Sequence, residues 1–375
     1  MEKEIYDLKR YNEDFDYQDR ITSKIKTFYF RNKVFDFDFN FYFAGSRFVF
    51  KNCDFLKNLK ISTSKEKTDE IIFDNCTFFE LLDLSECKFQ KNVKFWQSNF
   101  NNVNFHNTTF YGLADFWSCT FNENVIFYKT DFLGTTVFSA ATFKKAVLFT
   151  YTSISKVIIF RGTKFENGLD LSQAIISGNL SLHDLKLNKF KAVDNTDDNK
   201  QYENYISETA QIPYSNKRET FRIIKQSYSK NGNEIDSLEF RKREHITFFN
   251  ETWRNLLNGR KIGSSLQNSF ILCLNLISNF FGVSWMISLV FISLIGGLFF
   301  LLSITEIPEF YFTYKPKEWE VEHLKYFLEF LNPTHKFDYI QKENLSTKFY
   351  FFDFIGRIFV GYGIYQFIQA FRKYK

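Results

Sequence analysis

The stretch that decides the fold reads CTFNENVIFYK over Cys119–Lys129, TDFLGTTVFSA over Thr130–Ala140, ATFKKAVLFTY over Ala141–Tyr151 and TSISKVIIFRG over Thr152–Gly162. Each eleven-residue unit opens on a small residue, has a large one two places later and a second large one six places after that. An α-helix requires apolar neighbours at three and four, and a flat strand requires strict alternation, so gaps of five and six satisfy neither. The pattern describes a coil that turns a corner at every step and sends one large side chain inward on each of four faces. Two units make a turn of 22 residues, so residues 22 apart stack. Four apolar ladders result: Phe110–Phe132–Ile154–Ile176, Phe116–Phe138–Phe160–Leu182, Phe121–Phe143–Phe165–Leu187 and Phe127–Phe149–Leu171. Coils spaced like β-strands, about 4.8 Å apart, bury such ladders as one continuous core.

The small positions are Cys76, Cys87, Ser98, Thr108, Cys119, Thr130, Ala141, Thr152, Thr163 and Ala174, while the matching slot on alternate faces holds Val93, Val125, Val147, Ile158, Leu169 or Leu180. With this repeat the chain resembles the pentapeptide-repeat proteins, in a form with Phe at the centre and frequent one-residue expansions. The resemblance implies a mainly β fold, a right-handed quadrilateral β-solenoid whose central and small residues point inward. The bulky alternate slot departs from the strict five-residue form and implies a broader coil. The unit from Ser98 is ten residues long, which offsets the ladder by one.

Composition narrows the class. Net charge is +5, and residues 47–189 hold 17 bases against 14 acids. Dedicated nucleic-acid binding needs clustered bases. Some pentapeptide-repeat proteins act as acidic mimics of a DNA duplex, and this balance excludes that role too. Cys53, Cys76, Cys87 and Cys119 fall at or near the small slot and Cys273 in an apolar run, so all five read as buried small hydrophobes rather than disulfides or metal ligands. The start, MEKEIYDLKRYNEDFDYQDR, carries no apolar signal-peptide core.

In chain order, residues 1–43 read as a polar arm followed by a β cap in which Phe35, Phe37, Phe39, Phe41 and Phe43 share one face. Residues 44–190 form the solenoid, interrupted by the charged insertion Ser62–Glu70, and 191–214 a linker. Residues 215–262 read as an α-hairpin with Ser215 as N-cap. The hairpin's TFR…K…N…EF…E skeleton resembles the segment joining solenoid to membrane in a two-span subgroup of the same family. A membrane module follows at 263–375. It comprises an interfacial helix over 266–280 with Asn275 and Asn279 on its polar side, a transmembrane helix over 283–304, an outer loop over 305–348 and a second transmembrane helix over 349–371. Arg254, Arg260 and Lys261 before the first span, and Arg372, Lys373 and Lys375 after the second, place both termini in the cytoplasm by the positive-inside rule.

Candidate chemistry is sparse. Asp353 and Arg357, four apart on the second span, form a candidate intramembrane pair. VGYG at Val360–Gly363 matches part of a potassium-filter string, but Phe359 precedes it and only twelve residues follow, so Gly356, Gly361 and Gly363 read as helix-packing residues. His106, His183, His245, His323 and His335 are scattered, His106 outward beside Phe105. No residue set points to catalysis, a metal or a cofactor. The expectation is a non-enzymatic, multi-pass protein of the bacterial inner membrane. Its cytoplasmic solenoid serves as a protein-binding scaffold through outward residues such as Asn101, Asn102, Lys144, Lys145, Arg161 and Lys164, with a protein partner or self-association, the lipid bilayer as a further partner, and neither nucleic acid nor a small-molecule substrate. The alternative is a channel-like or transport-modulating module.

Overall fold

The structure, a computed structural model, describes residues 3–7, 9, 27–43, 47–63, 70–194, 209–305, 307, 321–337, 339–340 and 345–371. Two compact units divide the chain, Met1–Gly232 and Asn233–Lys375.

The first unit is a four-sided solenoid of parallel strands, in sheets of 11, 8, 5 and 3 strands. Pairings such as Phe121 with Phe143 and Phe143 with Phe165 have the 22-residue pitch. The ten-residue unit leaves its mark where expected. Asn99 pairs with Thr77 at an offset of 22 but Asn102 with Leu81 at 21, and the register slips between Phe100 and Asn102. One missing residue is thus absorbed as a local irregularity in one strand. The inward Phe105 and Phe110 stay buried beyond it.

The strands Thr27–Arg31, Lys33–Phe35 and Phe39–Phe43 pair in parallel with Arg47–Lys51, Asp54–Phe55 and Leu59–Thr63 at an offset of 20. Residues 27–43 are therefore the first coil rather than a separate cap, and its pitch is four steps of five. A bend at 36–38 breaks the expected single-face alternation. Phe35, Phe39 and Phe41 are buried and Phe37 is half-buried, while the side chain of Phe43 lies outside the described residues. The strand Glu4–Tyr6 adds to Lys33–Phe35, and Tyr6 is buried edge-on against Phe30 and Phe35. Most of the expected N-terminal arm and of the Ser62–Glu70 insertion lies outside the described residues.

Phe suits this core for a geometric reason. Rings one coil apart stack nearly parallel, Phe73 on Phe95 at 5.0 Å and 2°, Phe143 on Phe165 at 5.1 Å and 2°. Rings on adjacent faces meet edge to face, as Phe160 and Phe165 do at 68°. Both are favourable arrangements of aromatic quadrupoles. The bulky alternate slot also points inward, with Val93, Val125, Val147, Ile158, Leu169 and Leu180 all buried.

The corners explain the small slot. Asn52, Asn75, Gln97, Ser118, Ala140 and Gly162 at one corner, and Glu86, Asn107, Lys129 and Tyr151 at another, have positive φ. Each directly precedes a small inward residue, from Cys53 to Thr163. The left-handed conformation costs a non-glycine residue about 1–2 kcal/mol. Hydrogen bonds offset this. Thr108 donates to the Leu84 carbonyl at 2.8 Å, Thr130 to Phe105 at 2.8 Å and Thr163 to Phe138 at 2.7 Å. Cys87 donates likewise to Ile61 at 2.9 Å. Where the slot holds Thr or Cys rather than Ala, it is thus small and also a donor, satisfying a carbonyl of the coil before.

The last coil is closed by helix α1, Tyr214–Lys230, which buries Thr220, Phe221, Ile224 and Tyr228 against it. Asn216 Nδ2 donates to Asp170 Oδ2 at 2.9 Å, Thr220 Oγ1 accepts from the Leu171 amide at 2.9 Å, and Tyr228 Oη donates to the Leu182 carbonyl at 2.7 Å. The helix starts at Tyr214 behind Pro213 without a side-chain cap, so Ser215 is not the N-cap. The ends of the expected linker are docked as well. Val193 bridges to Pro213, and Ala210 packs on Ala146 and Leu148, burying an outward face of the solenoid.

The second unit holds α2 (Glu234–Leu257), α3 (Ile262–Asn279), α4 (Trp285–Ile304), α5 (Val321–Phe330) and α6 (Thr347–Phe371). The expected hairpin of residues 215–262 is split: α1 belongs to the solenoid unit, and α2 pairs with α3 instead. Ser269 Oγ donates to Thr252 Oγ1 at 3.1 Å in that pairing, and His245 stacks on Phe281 at 5.4 Å. Gly259 and Lys261, both at positive φ, reverse the chain between α2 and α3.

α4 packs along α6. A Cβ on Gly363 would stand 2.6 Å from Ile292 Cγ1, and one on Gly356 would stand 2.9 Å from Phe299 Cβ, so two of the three singled-out glycines set the helix approach. Gly361 has only Pro333 nearby, at 3.9 Å. Gly296, which sequence reading passed over, is equally tight against Leu331. Among the described residues one helix, α4, is long and apolar enough to cross a membrane.

Candidate functional site

The candidate pair on α6 proves to be part of a larger buried cluster. Residues 353 and 357 are one helical turn apart, and Arg357 Nε donates to Asp353 Oδ2 at 2.8 Å. The other carboxylate oxygen faces His335 Nε2, also at 2.8 Å. The side chains of His335 and Asp353 are 1% and 0% exposed. Phe337 lies 3.9 Å from the Arg357 guanidinium, a cation–π contact, and Arg357 Nη2 is buried without a hydrogen-bond partner. Tyr339 meets the imidazole edge-on at 4.6 Å with its own hydroxyl buried and unpartnered. Burial first, then the Asp353 charge, push the Tyr339 phenol above its ordinary range, so it stays a neutral donor.

A turn delivers the histidine. Asn332-Pro333-Thr334-His335 has Asn at the first position, Pro at the second and a bond from the His335 amide to the Asn332 carbonyl at 3.0 Å. Thr334 donates to Asn332 Oδ1 through its amide and its hydroxyl. The imidazole folds back so that Nδ1 also meets the Asn332 carbonyl, at 2.6 Å. Sequence reading left His335 among the scattered histidines, and the Asn-Pro pair was the signal available.

A second polar network joins α3 to α6. Asn275 Oδ1 accepts from Tyr362 Oη at 3.0 Å and from Gln366 Nε2 at 3.2 Å, while Asn279 Nδ2 donates to Gln366 and its Oδ1 accepts from the Gly282 amide. The polar side expected to face headgroups is therefore turned into the helical unit. Its apolar Leu266, Phe270, Ile271 and Ile277 lie exposed. Cys273 is exposed too, contrary to expectation, while Cys53, Cys76, Cys87 and Cys119 are buried free thiols.

The same inversion runs through α4 and α6. Buried positions are Ser288, Gly296 and Ser303 beside Phe291, Phe300 and Ile304 on α4, and Asp353, Gly356, Gly363 and Gln366 beside Phe349, Val360 and Ala370 on α6. Exposed ones include Leu289, Leu294 and Leu298 on α4 and Phe351, Phe354, Ile358 and Ile368 on α6. VGYG lies within α6, with Val360 and Gly363 buried against neighbouring side chains, so it is helix and not a filter loop.

On the solenoid, Asn101, Asn102, Lys144, Lys145, Arg161 and Lys164 are all exposed. Asn101, Asn102 and Lys164 lie in strands of the 11-stranded sheet, and Lys144 and Lys145 directly follow one. The exposed His106 stacks on Tyr128 at 5.0 Å, part of an aromatic corner.

A family model described as pentapeptide repeats (9 copies) matches residues 73–120 and, overlapping, 95–142. No curated protein and no solved structure matches the chain. The matched residues are central coils of the solenoid, which is thus built of pentapeptide repeats.

Proposed function

We propose that this pentapeptide-repeat solenoid is a binding scaffold held at a membrane by the helical unit, acting without catalysis. The observation that carries the anchoring is the burial pattern of α4 and α6: serine, glycine, glutamine and a charge cluster lie inside beside phenylalanine and valine, while the outside is covered by leucine, isoleucine and phenylalanine. Water penalises such an arrangement, and hydrocarbon favours it. In this reading α4 and α6 are the two spans. Asp353 and Arg357 lie near the end of α6 that joins the outer loop, where each neutralises the other. The chain is multi-pass with cytoplasmic termini in a bacterial inner membrane. The scaffold reading rests on the solenoid itself: a rigid, ladder-filled core with outward side chains in fixed rows, binding a protein partner or a further copy of this chain.

The buried polar groups favour one second reading, a transport-modulating module. The α4–α6 interface is closed by the glycine contacts, so any path would run between copies. Ion flux across liposomes holding the full-length protein separates the two. The scaffold reading expects flux no greater than in empty liposomes. Flux that disappears in a well-inserted Asp353→Asn, Arg357→Gln variant would overturn it.

A further inference from the structure

Charge is distributed unevenly along the 11-stranded sheet. In the first coils its outward charges are paired: Lys3 with Asp54 at 2.6 Å, Lys57 with Glu80 at 3.6 Å and Lys60 with Asp83 at 3.9 Å. In the middle coils the strands carry neutral outward residues, Asn99, Asn101, Asn102 and Thr120, with Asn122 and the single acid Glu123 directly after them. On the last coils the sheet face becomes basic. Lys144, Lys145, Arg161, Lys164, Lys186 and Lys189 are all exposed on the sheet or its two edges, with Glu166 and Asp184 among them. Among the described residues only Lys186 of these six bases has an ion-pair partner, Asp184 at 3.6 Å. The register even sets Lys164 directly beside Lys186 on the neighbouring strand. Like charges in that relation are destabilising.

We propose that this basic end of the sheet binds anionic lipid headgroups. The inference rests on the membrane reading above and adds the surface through which the solenoid meets the bilayer. Five of the six bases are lysines, compact point charges suited to a fluid array of phosphates rather than to the fixed fork geometry that arginine recognises. Their setting is a sheet face of regularly spaced strands, which spreads the charges over a plane. The one large exposed aromatic among the described residues of this sheet's strands, Phe79, lies among the early coils, so the basic end has no row of aromatics on which single-stranded nucleic acid could stack. A polybasic surface on the cytoplasmic side of a membrane is drawn to anionic lipid within a Debye length.

The test uses the full-length protein in nanodiscs of phosphatidylcholine alone and of phosphatidylcholine with phosphatidylglycerol. Amine acetylation is read residue by residue by mass spectrometry. Lys144, Lys164 and Lys189 should react several-fold more slowly in the anionic discs, high salt should remove the difference, and Lys57 and Lys60 should react alike in both. Equal rates at the three lysines would overturn this inference and leave the membrane reading intact. Slow reaction in both lipids would also overturn it, in favour of a protein contact or a second copy covering the face. Failure to enter either disc would overturn the membrane reading and this inference together.

Discussion

His335 Nε2 stands 2.8 Å from Asp353 Oδ1, and neither side chain reaches solvent. The other imidazole nitrogen meets a backbone carbonyl, which can only accept, so Nδ1 carries a hydrogen. A hydrogen must also lie between Nε2 and the carboxylate, since two lone pairs at that distance would repel. Asp353 accepts from Arg357 Nε through its second oxygen, at 2.8 Å. The cluster is a small ion network tying the turn after α5 to α6. Removing the imidazole keeps the Arg357–Asp353 pair but leaves Asp353 Oδ1 buried without its partner, at a cost of about 1–3 kcal/mol. His335→Ala should therefore lower the unfolding temperature of the detergent-solubilised protein more than any substitution of an exposed residue on α6. An unchanged temperature would show that the network is not formed.

Two threonines of the solenoid should respond to valine with opposite signs. Thr130 fills a corner slot and donates to the Phe105 carbonyl, so Thr130→Val should destabilise by about 1 kcal/mol. Thr136 fills the alternate slot, stacked between Ala114 and Ile158, and its buried hydroxyl has no partner. Thr136→Val should stabilise by a similar amount, about 1 kcal/mol. Urea unfolding followed by near-ultraviolet circular dichroism would show the two midpoints moving apart.

Gly134 tests the closeness of the coils. A Cβ there would fall 1.8 Å from the Gly112 carbonyl oxygen, a backbone atom that cannot swing away. Gly134→Ala should cost about 1–3 kcal/mol through overpacking. Hydrogen exchange should rise at this corner and its stacked neighbours before it rises elsewhere.

Buried thiols make the solenoid sensitive to alkali. Burial pushes the Cys87 thiol from 9.0 to about 12. A folded value above the unfolded one keeps its stability below pH 9 and loses it as pH climbs toward about 12. Stability should fall across that window, and Cys87→Ala should flatten the slope. In a Cys273→Ser background, maleimide should modify none of the four solenoid cysteines until the protein unfolds.

The inward half of the solenoid was legible because the core is periodic. Phe110, Phe132 and Ile154 declare the pitch, and the short unit at Ser98 locates the slip between Phe100 and Asn102. The corners were not legible, because Gln97, Ser118, Lys129 and Tyr151 share a backbone conformation and no chemistry. α1 has the same amphipathic pattern whether it meets a helix or the end of a coil, and only Asn216 and Thr220 turning to Asp170 identify its partner. Asp353 and Arg357 were readable from a spacing of four. His335 was not, because it reaches them from a separate turn 18 residues earlier in the chain.

The central claim is that α4 and α6 face hydrocarbon with their exposed leucine, isoleucine and phenylalanine side chains. Alkaline carbonate extraction of cell membranes, run on the full-length chain beside residues 1–232, tests it most directly. The account predicts that the full-length protein stays in the membrane pellet and that the shorter chain, ending with the solenoid unit, is recovered in the supernatant. Release of the full-length protein by carbonate would contradict it, and the apolar faces of α4 and α6 would then have to be covered by protein.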